Sequence, residues 1–490
     1  MKNYSIALAT LAAFCSGCKV QQPYHVPAAP VPPAYQGAAP AQTASAPAAG
    51  WAQASPADGE IKSKWWEIYQ DPVLNSLEER IEVDNQSLKA AAARFDEARA
   101  LVFESRSRRM PSLAGGGDVG RERKSMNQGV PPPASESDFN DFNVGISASW
   151  EPDLWGRVRT QVQASVQQAQ ANAADLENVR LSLHAELASD YLALRSLDDE
   201  KAVVQNSIAV YAKALKMMED RYQGGLANRA DVEQARTQLE AASAQEQEIL
   251  ESRAHDLNAI AVLTGELPEG FSFPDEKQAL TLPQIPLDLP SKLLERRPDI
   301  AAAERRVAFA NSQIGLARAT FYPQVILSGA IGLDSKSLSN WFFAPSRYWA
   351  AGPELSQTIF DAGRRRAQLA QSTASYDESV ANYRQMVLTA FQQIEDSLAS
   401  MRILTEEAAR QQRAVQAARR AEELSMNRYQ GGMVSYLEVI STQSARLQNE
   451  RIAVGIERRR MAASVALVRA LGGGWNAASL PQASSLVKKK

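Results

Sequence analysis

The residues able to do chemistry are few. The 490-residue chain holds three histidines, His25, His184 and His255, and two cysteines, Cys15 and Cys18. A structural zinc centre takes four Cys or His ligands at close spacing, so these residues cannot build one. The histidines lie far apart and offer no base for histidine-dependent catalysis. The chain contains no Gly-x-Ser-x-Gly elbow, no P-loop and no dinucleotide fingerprint. No enzymatic activity, no cofactor and no metal are expected. Met217, Met218, Met426 and Met433 fall near helix ends, where core packing explains them better than soft-metal transport. Lys plus Arg number 53 against 56 Asp plus Glu, a net charge of −3, which argues against a nucleic-acid partner.

Cys18 is the one residue with a defined chemical fate. Lys2, the apolar stretch Ile6–Phe14 and the small pair Ser16-Gly17 precede it. A charged start, a short apolar core and small residues before a cut describe a signal peptide over residues 1–17. The segment resembles a bacterial lipobox, although Cys15 stands where such motifs usually carry Leu. The resemblance implies cleavage before Cys18 and acylation of its thiol and new amino group, several chains giving stable anchoring. Lys19 after it favours the outer membrane by the same resemblance. Residues 18–64 then read as a tether: Pro27–Gly50 has ten alanines and six prolines among 24 residues, too little for a core.

Charged and aromatic side chains cluster at two further places. Arg221-Tyr222-Gln223-Gly224-Gly225 recurs as Arg428-Tyr429-Gln430-Gly431-Gly432, an offset of 207 (428 − 221), and Gly156-Arg157 recurs as Gly363-Arg364 at the same offset. Upstream, Ala98 and Pro111 match Ala310 and Pro323 at offset 212. The five-residue change falls between Pro111 and Gly156, where the first copy holds Gly129-Val130-Pro131-Pro132-Pro133. Two copies this long exceed a solenoid unit, so a half-domain is duplicated. The first repeat covers 65–290, the second 291–475, and 476–490 form a tail.

The elements that must carry these clusters follow from spacing. A helix is expected over 84–109, ended by Pro111. Leu176, Val179, Leu183, Leu187, Tyr191, Leu194 and Leu197 recur every three or four residues within a proline-free run over 156–222, a coiled-coil pattern. That run is ~100 Å long at ~1.5 Å per residue. Gly224-Gly225 ends it, and a return helix covers 229–264. The second copy repeats this with helices at 298–320, 363–429 and 435–471. Two short helices laid end to end nearly equal each long one, so the simplest packing stacks them antiparallel to it.

Between the helices lie strands. Phe142, Val144, Ile146, Ala148 and Trp150 alternate with polar or small residues, giving one apolar face over a length of ~9–11 residues, enough to cross a membrane. Val325, Leu327, Ile331 and Leu333 do the same in the second copy. Hairpins are expected over about 112–151 and 324–359, with Trp341, Phe342 and Phe343 at strand ends suiting a membrane–water interface. No apolar run after residue 18 reaches the ~20 residues of a spanning helix, and mean hydropathy is −0.32. Four strands cannot close a barrel and open edges in lipid are costly, so strands in a membrane demand an oligomer. Two, three or four chains all remain open on this ground.

The chain resembles the TolC-like outer-membrane factors, most closely the lipidated OprM/NodT type of tripartite RND-type efflux pumps. The matching stretches are Leu294-Glu295-Arg296-Arg297-Pro298-Asp299-Ile300, Phe321-Tyr322-Pro323-Gln324, Phe360-Asp361-Ala362-Gly363-Arg364, Arg428-Tyr429 before the paired glycines, and Ala470-Leu471-Gly472-Gly473-Gly474-Trp475. The resemblance implies a mainly α fold with a small β part: a homotrimer with a shared twelve-stranded β-barrel in outer-membrane lipid and an α-barrel of helical hairpins in the periplasm. It implies a passive exit duct for small molecules, reached through a periplasmic adaptor from an inner-membrane pump. Leu267–Pro290 and the tail would join an equatorial belt or remain loose. Adaptor contact is expected at Gly224, Gly225, Gly431 and Gly432. A gate is expected from Arg221, Tyr222 and Asp231 in one copy and Arg428, Tyr429, Leu437 and Glu438 in the other, Arg428, Tyr429 and Leu437 matching positions that hold related ducts shut. Ser441 stands where relatives often carry Asp, which leaves an acidic ring at that level without its carboxylate, with Glu438 supplying charge nearby. Two other readings stay open: a type I protein-secretion duct of the same architecture, and a lipid-anchored coiled-coil scaffold without a pore.

Overall fold

The computed structural model describes residues 23–29, 32, 64–123, 138–272, 282, 283, 285 and 293–486. Cys18, the signal peptide, most of the tether, the Gly129–Pro133 insertion and the terminal lysines lie outside the described residues.

The first copy opens on a buried 3-10 turn, Trp65–Tyr69, and two helices, α1 (Pro72–Asp84) and α2 (Gln86–Ser107). Pro72 sits in the first turn of α1, where its missing N–H costs nothing, and Asp71 caps it by accepting from Val73 N at 2.8 Å. The helix expected over 84–109 stands at Gln86–Ser107, and α1 before it is the element that spacing did not announce. The chain breaks at Asn85, whose extended backbone (ψ 122°) closes α1 and caps α2. Two strands follow, β1 (Ser112–Arg123) and β2 (Asp138–Trp150), then the long helix α3 (Arg157–Gln223) and its return α4 (Arg229–Leu263). The second copy gives α5 (Pro298–Ala319), β3 (Gln324–Ser335), β4 (Arg347–Ser356), α6 (Arg364–Gln430) and α7 (Tyr436–Ala470). Both long helices run 67 residues, ~100 Å at the helical rise.

The short helices stack head to tail. Asn85 accepts from Leu88 N at 2.9 Å and donates from Nδ2 to the Leu263 carbonyl at 2.8 Å, so one side chain satisfies the start of α2 and the end of α4. Gly265 (φ +78°) lies so close to Asp84 that a Cβ would stand 2.6 Å from its carbonyl oxygen. The second copy builds the same joint with other residues: Arg297 Nη1 donates to the Ala470 carbonyl at 3.1 Å, and Gly472 is pressed against Arg296. The two joints stand at the repeat offsets, 212 for Asn85 and Arg297 and 207 for Gly265 and Gly472.

Packing arranges the helices as a row. The α2/α4 column lies on α3, α3 lies on the α5/α7 column, and that column lies on α6. The core at mid-length draws on both copies, with Trp65, Trp66, Leu187, Tyr191 and Leu194 packed with Val465 and Val468. The strands form one antiparallel sheet in the order β1-β2-β3-β4, with β2 and β3 joining the copies. Register sets Ile146 against Ile331 and Ile331 against Trp349, so the apolar residues of both copies share a face. That face is open: Leu113, Ile146, Ile331 and Trp349 are all exposed. No helix of the described residues is long and apolar enough to cross a membrane.

Two segments outside the repeats pack against them. The tether has no core of its own, yet its start is fastened to the helices: Tyr24 donates to Glu304 Oε1 at 2.5 Å and Arg384 Nε donates to the Ala28 carbonyl at 3.2 Å. Tyr24 and Ala29 lean on apolar residues of α5 and α6, and this burial holds the segment. The tail is packed as far as Leu486, which is buried with Ala98, Val102, Val166 and Ala169.

Candidate functional site

The two tip turns lie at the far ends of the long helices. In each, a glycine in the left-handed region, Gly225 (φ +71°) or Gly432 (φ +73°), lets the chain reverse after the last helical turn. The closing hydrogen bonds are alike: Leu226 N donates to the Arg221 carbonyl at 2.8 Å and Met433 N to the Arg428 carbonyl at 2.9 Å. A Cβ on Gly225 or Gly432 would meet nothing within 4 Å, so both backbones face open space.

Past the turns the copies diverge. Asp231 and Glu438 are equivalent at offset 207. Asp231 closes a capping box with Asn228, whose side chain accepts from Asp231 N at 2.9 Å. In the second copy Ser435 makes no side-chain cap, and Glu438 instead accepts from Arg428 Nη1 at 2.9 Å.

The tyrosines diverge too. Tyr222 is 46% exposed, whereas its equivalent Tyr429 is 8% exposed. Tyr429 packs beside Tyr436 with ring centroids 5.5 Å apart, and its hydroxyl donates to Met218 Sδ at 3.4 Å. Arg221 from the other copy lies over the Tyr429 ring at 5.1 Å. Burial raises the Tyr429 pKa, against the lowering pull of Arg221, and pushes Tyr436 up to about 12. Both phenols are therefore neutral.

Of the expected gate residues, the structure joins Arg221 to Tyr429 and Arg428 to Glu438. Asp231 is engaged in its own cap, and Leu437, like Tyr222, remains exposed. Ser441 turns back to the Glu438 carbonyl at 2.8 Å. Sequence reasoning missed Tyr436 and the position of Met218 under Tyr429. One signal was present: Tyr436 replaces Arg229 at offset 207, an aromatic in place of a charge.

The other functional feature is edge geometry. Among the described residues, β1 pairs only with β2 and β4 only with β3. In the helical layer the α2/α4 column and α6 form the two ends of the row. Both layers are thus open at the same two ends, in the same order.

Comparison with known proteins converges on one assignment. The family model described as "Outer membrane efflux protein" matches residues 77–266 and 289–473. These intervals begin 212 residues apart and end 207 apart, the two offsets of the internal repeat. The chain is 32% identical over 417 residues to the pyoverdine export outer membrane protein OpmQ of Pseudomonas aeruginosa, covering 84% of this chain and 87% of that one. It is 31% identical to the probable efflux pump outer membrane protein SepC of Pseudomonas putida over 97% of this chain and 98% of that one. Among solved structures, the outer-membrane channel OprN superposes with a TM-score of 0.82 at 28% identity, covering 94% of this chain and all of that one. VceC of Vibrio cholerae gives 0.77 at 30% identity, covering 84% and 99%. The chain belongs to the outer membrane efflux protein family and is an efflux channel protein of the outer membrane.

Proposed function

We propose that three copies of this chain close into one passive exit duct of a tripartite efflux system. The observation that carries this is the shared pair of open edges. An unpaired strand edge in lipid leaves backbone groups unsatisfied at several kcal/mol each, and a four-stranded sheet cannot cover its own edges. A head-to-tail contact, β4 of one copy on β1 of the next, generates a ring when the rotation closes. The same rotation would seat α6 of one copy against the α2/α4 column of the next. Three copies give twelve strands, the number the family resemblance implies. Cys18, acylated, would anchor the chain beside the barrel.

The tips would meet a periplasmic adaptor at Gly224, Gly225, Gly431 and Gly432, and through it an inner-membrane pump. The resting closure would lie beside them, where Arg221, Tyr429, Arg428 and Glu438 meet, with Tyr222, Asp231 and Leu437 around it. Small organic molecules are the favoured cargo over secreted proteins, since the relatives' names refer to pyoverdine, toluene and antibiotics. The test combines two measurements. Extracted protein should run as a heat-labile trimer on gels and conduct ions in planar bilayers. A monomer, or an assembled but electrically silent protein, would overturn the reading in favour of a scaffold.

A further inference from the structure

The foot of the sheet, where strands meet helices, is rich in arginine. Register places Ser112, Trp150, Gln324 and Ser356 at this end. Several of these arginines are neutralised by their own chain. Arg157 pairs with Glu151, Arg159 with Asp153 at 3.0 Å, and Arg365 with Asp361 at 2.6 Å. Three others, at the two open edges, are not. Arg109, just before β1, and Arg364 and Arg366, just after β4, are exposed and have no side-chain partner among the described residues.

Apolar side chains surround them. Ile359 and Phe360 are 93% and 85% exposed, and Met110 and Leu113 are exposed at the other edge. Trp150 belongs to the apolar face of β2 and donates its indole N–H to the Arg109 carbonyl at 3.0 Å. Aromatic rings with a polar end settle at the boundary between hydrocarbon and headgroups. The unpaired arginines therefore stand at headgroup depth.

We propose that Arg109 of one copy and Arg364 and Arg366 of the next form a seat for the phosphate of an anionic phospholipid of the inner leaflet. The proposal rests on the three-copy reading, because in one chain these residues lie at opposite ends of the row. Closing β4 onto β1 brings both strand feet to one seam, and three guanidinium groups then converge there, while the neighbouring carboxylate, Asp361, is already taken by Arg365. Guanidinium forks match phosphate oxygens, and the exposed Ile359, Phe360 and Met110 offer apolar surface for the acyl chains. Glu354 is a further carboxylate at the β4 edge. It alternates with Leu355 along β4 and so lies on the other face of the sheet.

Native mass spectrometry of the full-length protein in mild detergent tests this. The probes are phosphatidylglycerol, phosphatidylcholine and inorganic phosphate. Up to three phosphatidylglycerol molecules should stay bound per trimer, at more than tenfold preference over phosphatidylcholine. Inorganic phosphate in excess should not displace them, since the acyl chains share in the binding. The triple variant Arg109→Gln/Arg364→Gln/Arg366→Gln should lose the preference, while Arg402→Gln/Arg410→Gln/Arg413→Gln, which removes the same charge from exposed sites on α6, should keep it. Equal retention of both lipids by wild-type trimers, or an unchanged preference in the triple variant, overturns the lipid seat and leaves the trimer standing. Displacement by inorganic phosphate reassigns the site to a free anion. A rise in the preference in Glu354→Gln reassigns the arginines to pairing across the seam. Absence of a trimer mass overturns both this proposal and the reading it rests on.

Discussion

Arg221, at the end of one long helix, lies over the ring of Tyr429, at the end of the other, at 5.1 Å. The two residues come from different copies of the duplicated half, yet neither contacts its own repeat equivalent in this way. A cation over an aromatic face contributes ~0.5–2 kcal/mol, depending on how dry the site is. The contact ties the two tip turns of one chain together.

Removing the ring should loosen the tip. Tyr429→Ala deletes a buried aromatic side chain packed against Tyr436 and Met218, a change that typically costs ~3–5 kcal/mol. Single-channel conductance should rise and cells should become sensitive to large antibiotics. Tyr429→Phe loses only the hydroxyl and should stay near wild type. Equal conductance in all three assembled proteins would place the closure elsewhere.

The Arg428–Glu438 pair is half exposed on both sides, so it contributes only ~0–1 kcal/mol in each chain. Its effect should appear in combination. Arg428→Glu sets two carboxylates together and should raise open probability in bilayer recordings. The swap Arg428→Glu/Glu438→Arg should bring it back towards wild type. A swap no better than the single variant would show that Arg428 acts through something other than this pair.

At Gly432 the surroundings leave room for any side chain, and the left-handed backbone is the obstacle, at ~1–2 kcal/mol for an L-residue. Gly432→Leu should therefore assemble into trimers with slightly lower thermal stability. The substitution covers the open backbone, so adaptor cross-linking and efflux should both fall. Cross-linking at the wild-type level would restrict this glycine to ending the helix.

His184 is buried between Glu78 at 2.6 Å and Glu82 at 3.0 Å, and it stacks on Trp66 at 4.4 Å. Arg180 reaches Glu82 at 2.8 Å and also pairs with Glu177. Burial alone would lower the His184 pKa, but its hydrogen bonds to the two glutamates leave it above the ordinary 6.5. Burial also pushes Glu78 up to about 7, although His184 pulls it down. A raised histidine stabilises the fold fully below its unfolded value and loses that contribution as pH rises through the folded one. The raised glutamate has the same sign, since the folded state holds its proton more tightly. Melting temperature should fall from pH 6 to pH 8.5, and the double variant Glu78→Gln/His184→Gln should flatten that fall. An unchanged slope in the variant would assign the pH dependence to other groups.

Much of the fold can be read directly from the chain because duplication states each signal twice. The long helices stand one residue from where spacing and paired glycines put them. The break at Asn85 was harder to see. Asp84-Asn85-Gln86 contains neither glycine nor proline, and only its second-copy counterpart marks the boundary, with Pro298 after Arg297. The site was legible in part. Composition near the glycines marked the charged and aromatic residues, but which of them touch depends on how two helices 200 residues apart converge. Arg221 and Arg428 occupy the same place in the repeat and still find different partners.

The joints at Asn85 and Arg297 give the helical row a mechanical asymmetry. Each long helix is an unbroken rod, held by its own backbone hydrogen bonds along its whole length. Each companion column is two rods meeting at a seam that one side chain and one glycine contact secure. Under twist or bending the continuous rods resist, while the columns can swivel at mid-length without breaking a helical turn. Bending strain on the row therefore falls on the joints of the columns before it breaks a turn of either long helix.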